Sequence, residues 1–157
     1  MTDATAAWSA LLRVHASLVP TLDGQLMAIH GLRLTWYDVL LELNSASDRR
    51  LTMGQLSATA VLSRSQVSRV VDELVEIGLV ERKANRGDRR SQYAVLTEEG
   101  RRRLRAAAPT YLSGIERHFT SRMTAEEAGT VAAALGKVLA AQSGDRGRHD
   151  RGEPGQR

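Results

Sequence analysis

The chain of 157 residues contains no cysteine. Disulfide bonds, thiolate nucleophiles and cysteine-ligated zinc or iron–sulfur centres are therefore excluded. Aromatic residues make up only 4% of the chain, so Leu, Val and Ala must supply most of the core, which favours helices packed on helices. No apolar run approaches the roughly 18 residues of a membrane span, and residues 1–30 lack the features of a signal peptide. We expect a cytoplasmic protein that does not enter a membrane.

Apolar residues recur at helical spacing near the beginning of the chain. One stripe runs from Trp8 to Ile29 and ends at Gly31, and Pro20 is predicted to kink this helix. A second helix is predicted to begin after an N-cap at Thr35.

Two further helices are predicted in the middle of the chain. Thr52 is a candidate N-cap for a short helix, and Ser63 is one for a longer helix that stops at Gly78. The longer helix has a single apolar stripe with polar residues off it. The stripe comprises Val67, Val70, Val71, Leu74 and Val75.

After Gly78 the spacing of the apolar residues changes from the helical period to one typical of β-strands. Residues 79–82 and 93–96 form short strand-like runs, and the turn-rich basic stretch 85–90 joins them as a β-hairpin with a charged tip. Thr97 and Thr124 are predicted to cap two final helices. The last of these has Val131, Leu135, Val138 and Leu139 along its predicted buried side. Residues 143–157 lack apolar side chains and are predicted to be disordered.

A short helix, a tight turn, a longer helix and a basic hairpin form the layout of a winged helix-turn-helix. The net charge is +4, and clustered positive charge is typical of a nucleic-acid site, although a basic cluster alone also fits a solvated surface. In this layout the second helix enters the major groove of DNA by its N-terminal end. The predicted DNA-binding residues are Ser63, Arg64, Ser65, Gln66, Ser68, Arg69, Arg86, Asp88, Arg89 and Arg90.

The chemistry of these side chains suits duplex DNA. Gln can pair bidentately with adenine and Arg with guanine, and serine hydroxyls can reach bases or phosphates. Arginines at the hairpin tip can enter a narrow minor groove. Asp88 is predicted to pair with the guanidinium of Arg90 or Arg86 and to fix its orientation.

Residues 51–100 resemble the core of the MarR family of bacterial regulators (multiple antibiotic resistance regulators). The most specific matches are Gly78-Leu79-Val80 with Arg82, Asp88-Arg89-Arg90, and Val95-Leu96-Thr97 with Gly100. The resemblance extends over about residues 11–140.

The resemblance implies a mainly α fold with a small β-hairpin wing. Residues 35–97 would form the winged helix-turn-helix core, and residues 1–34 and 98–142 a helical dimerisation region from both chain ends, followed by the tail at 143–157. It also implies a homodimer that binds a pseudo-palindromic operator on double-stranded DNA. The implied function is a transcriptional repressor that responds to a small aromatic or carboxylate-bearing effector, with Arg90 in the minor groove.

Five residues are candidates for binding such an effector. They are His15, Trp36, Asp38, Arg69 and Arg82. Relatives that bind urate-like ligands resemble the chain at Asp38, Arg69 and Arg82, but Trp8 does not occupy the place of their N-terminal tryptophan. The simpler alternatives are an interface histidine at His15, a core residue at Trp36 and an arginine partner across the dimer for Asp38. No cofactor or metal is predicted.

Other functions remain as alternatives. An enzyme is disfavoured because there is no Gly-rich phosphate loop, nucleophile elbow or paired-histidine metal motif, and the positions of the four histidines suggest no catalytic site. A protein-interaction dimer on the same fold would not need the arginines at 64, 69 and 90. A nonspecific DNA-binding protein would need the basic hairpin but not the mixed Ser, Gln and Arg face.

Overall fold

The fold is that of a computed structural model, which describes residues 3–149 and the side chains of residues 5–142. The chain divides into two compact units, Met1–Ile115 and Glu116–Arg157. The helices are α1 (Asp3–His30), α2 (Leu34–Ser45), α3 (Met53–Thr59), α4 (Arg64–Glu76), α5 (Glu98–His118) and α6 (Ala125–His149), and the strands are β1 (Arg50–Thr52), β2 (Val80–Ala84) and β3 (Gln92–Leu96). The predicted order and the mainly α fold class are confirmed.

The three strands form one antiparallel sheet in the order β1-β3-β2. The hairpin of β2 and β3 closes with Ala84 opposite Gln92, and β1 adds to its free edge with Arg50 opposite Val95. Residues 85–91 connect the two hairpin strands, and we call them the wing loop. The predicted hairpin and the short bridging strand before it are both confirmed.

The core of the first unit lies between α2 and α4. Val39, Leu40 and Leu43 of α2 are fully buried, as are Val67 and Leu74 of α4. Burying one such side chain stabilises the fold by about 1.5–3 kcal/mol. The stripe predicted on the fourth helix therefore fixes which face of that helix is turned away from solvent.

Two glycines end helices as the sequence predicts. Gly31 after α1 has a φ of 59° and Gly78 after α4 has a φ of 75°, a left-handed conformation that glycine adopts without strain. A third glycine permits close packing, because a Cβ on Gly100 of α5 would lie 2.2 Å from the carbonyl oxygen of Leu79. The residues that follow α4 thus run directly beneath the start of α5.

Two predicted helix ends are wrong. α2 begins at Leu34 after Arg33, which makes no side-chain cap, so Thr35 lies inside the helix. The amide of Leu34 instead donates to Asp23 Oδ1 of α1 at 2.7 Å, and that tertiary contact replaces the local cap. α6 continues past Ser143 to His149, and the rest of the predicted tail lies outside the described residues.

Apolar stripes remain exposed in both units of the single chain. In the first unit, Trp8 and Leu12 of α1 are 59% and 50% exposed. In the second, Val138 and Leu139 of α6 are 56% and 68% exposed, so the predicted burial of this stripe is wrong within one chain. No helix in the described residues is both long and apolar enough to cross a membrane.

Candidate nucleic-acid interface

Two consecutive capping boxes build the helix-turn-helix. Thr52 and Gln55 cap α3, and Ser63 and Gln66 cap α4 in the same reciprocal way. The hydroxyl of Ser63 accepts from the amide of Gln66 at 3.3 Å, and the amide of Ser63 donates to Gln66 Oε1 at 3.0 Å. Because these bonds satisfy free amides of the first turn, they set where α4 begins.

The capping box changes what Ser63 and Gln66 can do. Base pairing by Gln66, as the sequence suggests, would require its carbonyl oxygen to leave the Ser63 amide. The structure therefore gives both residues a positioning role at the helix start.

The outer face of α4 carries the remaining predicted residues of this helix. Arg64, Ser65, Ser68 and Arg69 are all exposed. They lie at i and i+4 positions, so their side chains form one surface near the N-terminal end of the helix. The buried stripe on the opposite face keeps this surface turned outward.

The wing loop is held by hydrogen bonds from its own side chains. Asp88 Oδ1 accepts from the amide of Arg90 at 2.9 Å, and Asn85 Oδ1 accepts from the amide of Gly87 at 3.0 Å. Asn85 Nδ2 also donates to the hydroxyl of Ser91 at 2.8 Å. Such side-chain to backbone bonds fix tight turns.

The predicted partner of Asp88 is wrong. No ion pair in the described residues joins Asp88 to Arg86 or Arg90. Asp88 instead holds the backbone of Arg90, which leaves the guanidinium groups of Arg86, Arg89 and Arg90 on exposed residues. The loop thus presents three cations on a shaped backbone.

Two acidic residues of α4 connect it to its neighbours, and neither is among the site residues predicted from the sequence. Asp72 Oδ1 accepts from Arg82 Nη2 of β2 at 2.6 Å. Glu73 Oε2 accepts from Trp36 Nε1 of α2 at 2.7 Å. Charged residues off an apolar stripe predict some pairing, but only the tertiary fold supplies their partners.

The candidate effector residues do not form one hydrogen-bonded cluster in the described part of the chain. Trp36 and Arg82 contact α4 through Glu73 and Asp72, whereas His15 and Arg69 are exposed. Asp38 is half-buried. Burial, with a smaller contribution from the nearby Glu42 carboxylate, raises the pKa of Asp38 to about 6.

Two tyrosines share the surroundings of Asp38. The rings of Tyr37 and Tyr111 lie 4.7 Å apart at an angle of 50°. Burial raises the pKa of Tyr111, and the charge of Asp38 raises it further. Within the described residues, no group of three or more His, Asp or Glu side chains could hold a metal ion.

The comparisons with known proteins point to one family. A sequence model of the MarR family matches residues 30–91. The crystal structure of AbsC, a MarR family transcriptional regulator from Streptomyces coelicolor, superposes with a TM-score of 0.82 at 29% identity over 92% of this chain and 97% of that one. Over the matched residues, this chain is therefore similar to MarR family regulators.

Other MarR relatives have been solved with bound partners. Sco3205 from Streptomyces coelicolor, in complex with DNA, has a TM-score of 0.83 at 29% identity over 90% of this chain and 89% of that one. CouR from Rhodococcus jostii RHA1, bound to p-coumaroyl-CoA, has a TM-score of 0.72 at 28% identity over 82% of this chain and 88% of that one.

Among the curated proteins, the transcriptional repressor MprA of Escherichia coli (strain K12) is 27% identical over 103 residues. The match covers 66% of this chain and 58% of MprA, so the chain spans little more than half of that relative.

Proposed function

We propose that this chain is a MarR family protein, a sequence-specific transcriptional repressor that binds double-stranded DNA as a homodimer. The observation that carries the proposal is the capped helix α4, which turns Arg64, Ser65, Ser68 and Arg69 outward beside a basic wing loop. The DNA complex of Sco3205 and the repressor MprA support the same reading. Because this function acts on DNA, the cytoplasm is its proposed location.

In this proposal α4 and the wing loop contact different grooves of the DNA. The outer face of α4 contacts base edges in the major groove, where Arg pairs with guanine and Ser contacts bases or phosphates. Arg90 of the wing loop enters the minor groove, and Arg86 and Arg89 contact the backbone beside it. DNA binding of this kind requires no catalytic group, cofactor or metal.

The exposed apolar stripes support the dimer. α1 carries Trp8, Leu11 and Leu12 on its surface, and α6 separately carries Leu135, Val138 and Leu139. Exposed apolar surface of this kind marks an interface between proteins. A two-fold dimer requires a pseudo-palindromic operator whose half-sites lie about one helical turn apart.

The effector of the proposed repressor is a small aromatic or carboxylate-bearing molecule. CouR with its bound p-coumaroyl-CoA supports this class. In this chain Trp36 offers an aromatic ring, Arg82 and Arg69 offer cations, and His15 and Asp38 offer titratable groups. Thermal unfolding with phenolic and benzoic acids tests the class, because a ligand that binds the folded state raises its stability.

DNA binding is tested by selection and titration. The wild-type protein enriches duplexes from a library with a random core, and the enriched sequence (the selected duplex) is compared with a shuffled duplex of the same composition. We expect the selected duplex to bind tighter by about 10³-fold or more, with an affinity that falls as salt rises. Equal affinities would leave only nonspecific binding. No binding at low salt would leave the protein-interaction dimer.

Arg90 provides the sharpest single substitution. Arg90→Ala is expected to weaken binding to the selected duplex by about 1–3 kcal/mol. Arg117→Ala, an exposed arginine of α5, is the control for loss of one positive charge. Unchanged affinity of the Arg90 variant would remove this residue from the proposed contact.

A further inference from the structure

We propose that Asp72 and Glu73 are positioning residues that set the orientation of α4 toward DNA, one through the wing and the other through α2. The inference rests on the proposed function, since it concerns how the DNA-reading surface is held. Neither residue belongs to the predicted contact surface.

The two contacts leave α4 in different directions. Successive residues of an α-helix point about 100° apart around its axis. Asp72 reaches Arg82 of β2 at 2.6 Å, and Glu73 reaches Trp36 of α2 at 2.7 Å. Two short contacts at different angles restrain rotation of the helix about its own axis more than either contact alone.

Arg82 and Trp36, which Asp72 and Glu73 contact, each present a donor in a defined position. The Arg82 side chain is only 26% exposed, although that of Asp72 is 65% exposed. Arg82 Nη1 also donates to Gln92 Oε1 of β3 at 3.3 Å, so the guanidinium joins α4 to both strands of the wing. Trp36 Nε1 can donate one hydrogen bond, and Glu73 accepts it.

Stability alone does not account for this arrangement. The core already anchors α4 through Val67, Val71 and Leu74, which are fully buried. A surface ion pair such as that of Asp72 adds little to folding free energy. What the pair adds is a fixed angle between the helix and the wing, the two elements proposed to read one duplex.

A small rotation of α4 would reduce sequence specificity more than it reduces nonspecific affinity for DNA. Hydrogen bonds from Arg64, Ser65 and Arg69 to base edges depend on distance and angle. Attraction to phosphates falls off more gradually and carries nonspecific binding. Loss of the two contacts should therefore lower the preference for the selected duplex while leaving binding to the shuffled duplex unchanged.

The test compares Glu73→Ala with Glu73→Gln, whose amide oxygen can still accept from Trp36. We expect Glu73→Ala to lower affinity for the selected duplex about tenfold and to leave affinity for the shuffled duplex within about twofold. Glu73→Gln should stay close to wild type. Asp72→Ala should resemble Glu73→Ala, and the double variant should lose more preference than either.

A spectroscopic readout accompanies the affinities. The chain has two tryptophans, so two indole N–H resonances are expected, and Trp36→Phe identifies the resonance of Trp36. It should shift in Glu73→Ala and hold its place in Glu73→Gln, with both variants folded by circular dichroism.

The outcomes separate this inference from the proposed function. If wild type binds no duplex, both fall. If wild type prefers the selected duplex and Glu73→Ala keeps that preference, only the inference is wrong. Equal losses on both duplexes, or an unmoved Trp36 resonance in Glu73→Ala, would also overturn it, because they indicate a general defect or no hydrogen bond.

Discussion

α4 and the wing loop both present arginines to the same proposed ligand, but they are held in place by different forces. α4 is fixed by a buried stripe that includes Val71 and Leu74, with 0% exposure each. The wing loop is exposed and takes its shape from Asn85 and Asp88, whose side chains bind its own backbone. In one region folding stability and DNA reading are therefore coupled, and in the other they are separate.

The largest expected effect on stability comes from a cavity in the core beneath α4. Leu74→Ala leaves a cavity in a fully buried site and should lower the free energy of unfolding by about 3 kcal/mol. Arg86→Ala in the wing loop should change it by less than about 0.5 kcal/mol. Urea titration measures both, and a comparable loss in the two variants would mean that the wing loop is also set by the core.

A matched pair of glycines sharpens the same contrast. Gly100→Ala would put a Cβ 2.2 Å from the Leu79 carbonyl oxygen and should cost about 2 kcal/mol, because the backbone has to move. Gly87→Ala in the wing loop would meet only Asn85 Oδ1 at 3.4 Å and should cost little. Thermal unfolding distinguishes them, and a tolerated alanine at 100 would contradict the close packing beneath α5.

The pH dependence of stability is expected to arise from Asp38 of α2 and not from the wing loop. Burial raises the pKa of Asp38 to about 6, so the folded state holds a proton that the unfolded state releases, and stability falls as pH rises from about 4 to 6. Asp38→Asn should stabilise the protein by about 1 kcal/mol at pH 7.5, after discounting for partial exposure. The gain should vanish near pH 4 in urea titrations; a gain that persists there would assign it to packing.

Substitution of Asp88 is also expected to have only a small effect on stability. Asp88→Ala removes the bond to the Arg90 amide and should leave the free energy of unfolding within about 0.5 kcal/mol. It should weaken binding to the selected duplex by about 1 kcal/mol because the loop loses its shape. Asp88→Asn keeps the acceptor oxygen and should bind like wild type. If Asn also weakened binding, the carboxylate charge rather than the turn would matter.

What the sequence could predict was set by local chemistry. Thr52 and Ser63 cap their helices as expected, since a cap depends on residues within one turn. The hydroxyls of Thr97 and Thr124 likewise accept from the amides of Gly100 and Glu127. The face of α4 followed from the spacing of its valines and leucines in the same way.

What the sequence missed depends on contacts between distant residues. Asp23 of α1 takes the place of the predicted Thr35 cap, and no spacing rule relates residues on two helices. The partners of Asp72 and Glu73 are hidden for the same reason. The charge of Asp88 suggests a guanidinium partner, but its short side chain reaches the next backbone amides instead.

A base-pair scan of the selected duplex tests the central claim most directly. Each base pair is replaced in turn, and affinity is measured for wild type, Arg64→Ala and Arg90→Ala. We predict two symmetric sets of sensitive positions about one helical turn apart, each position costing about 1–3 kcal/mol. Arg64→Ala should remove sensitivity within the half-sites, and Arg90→Ala should remove it at A·T pairs beside them. A wild-type scan with no sensitive positions, or the same pattern in both variants, would contradict the claim that α4 and the wing loop contact separate base pairs of one duplex.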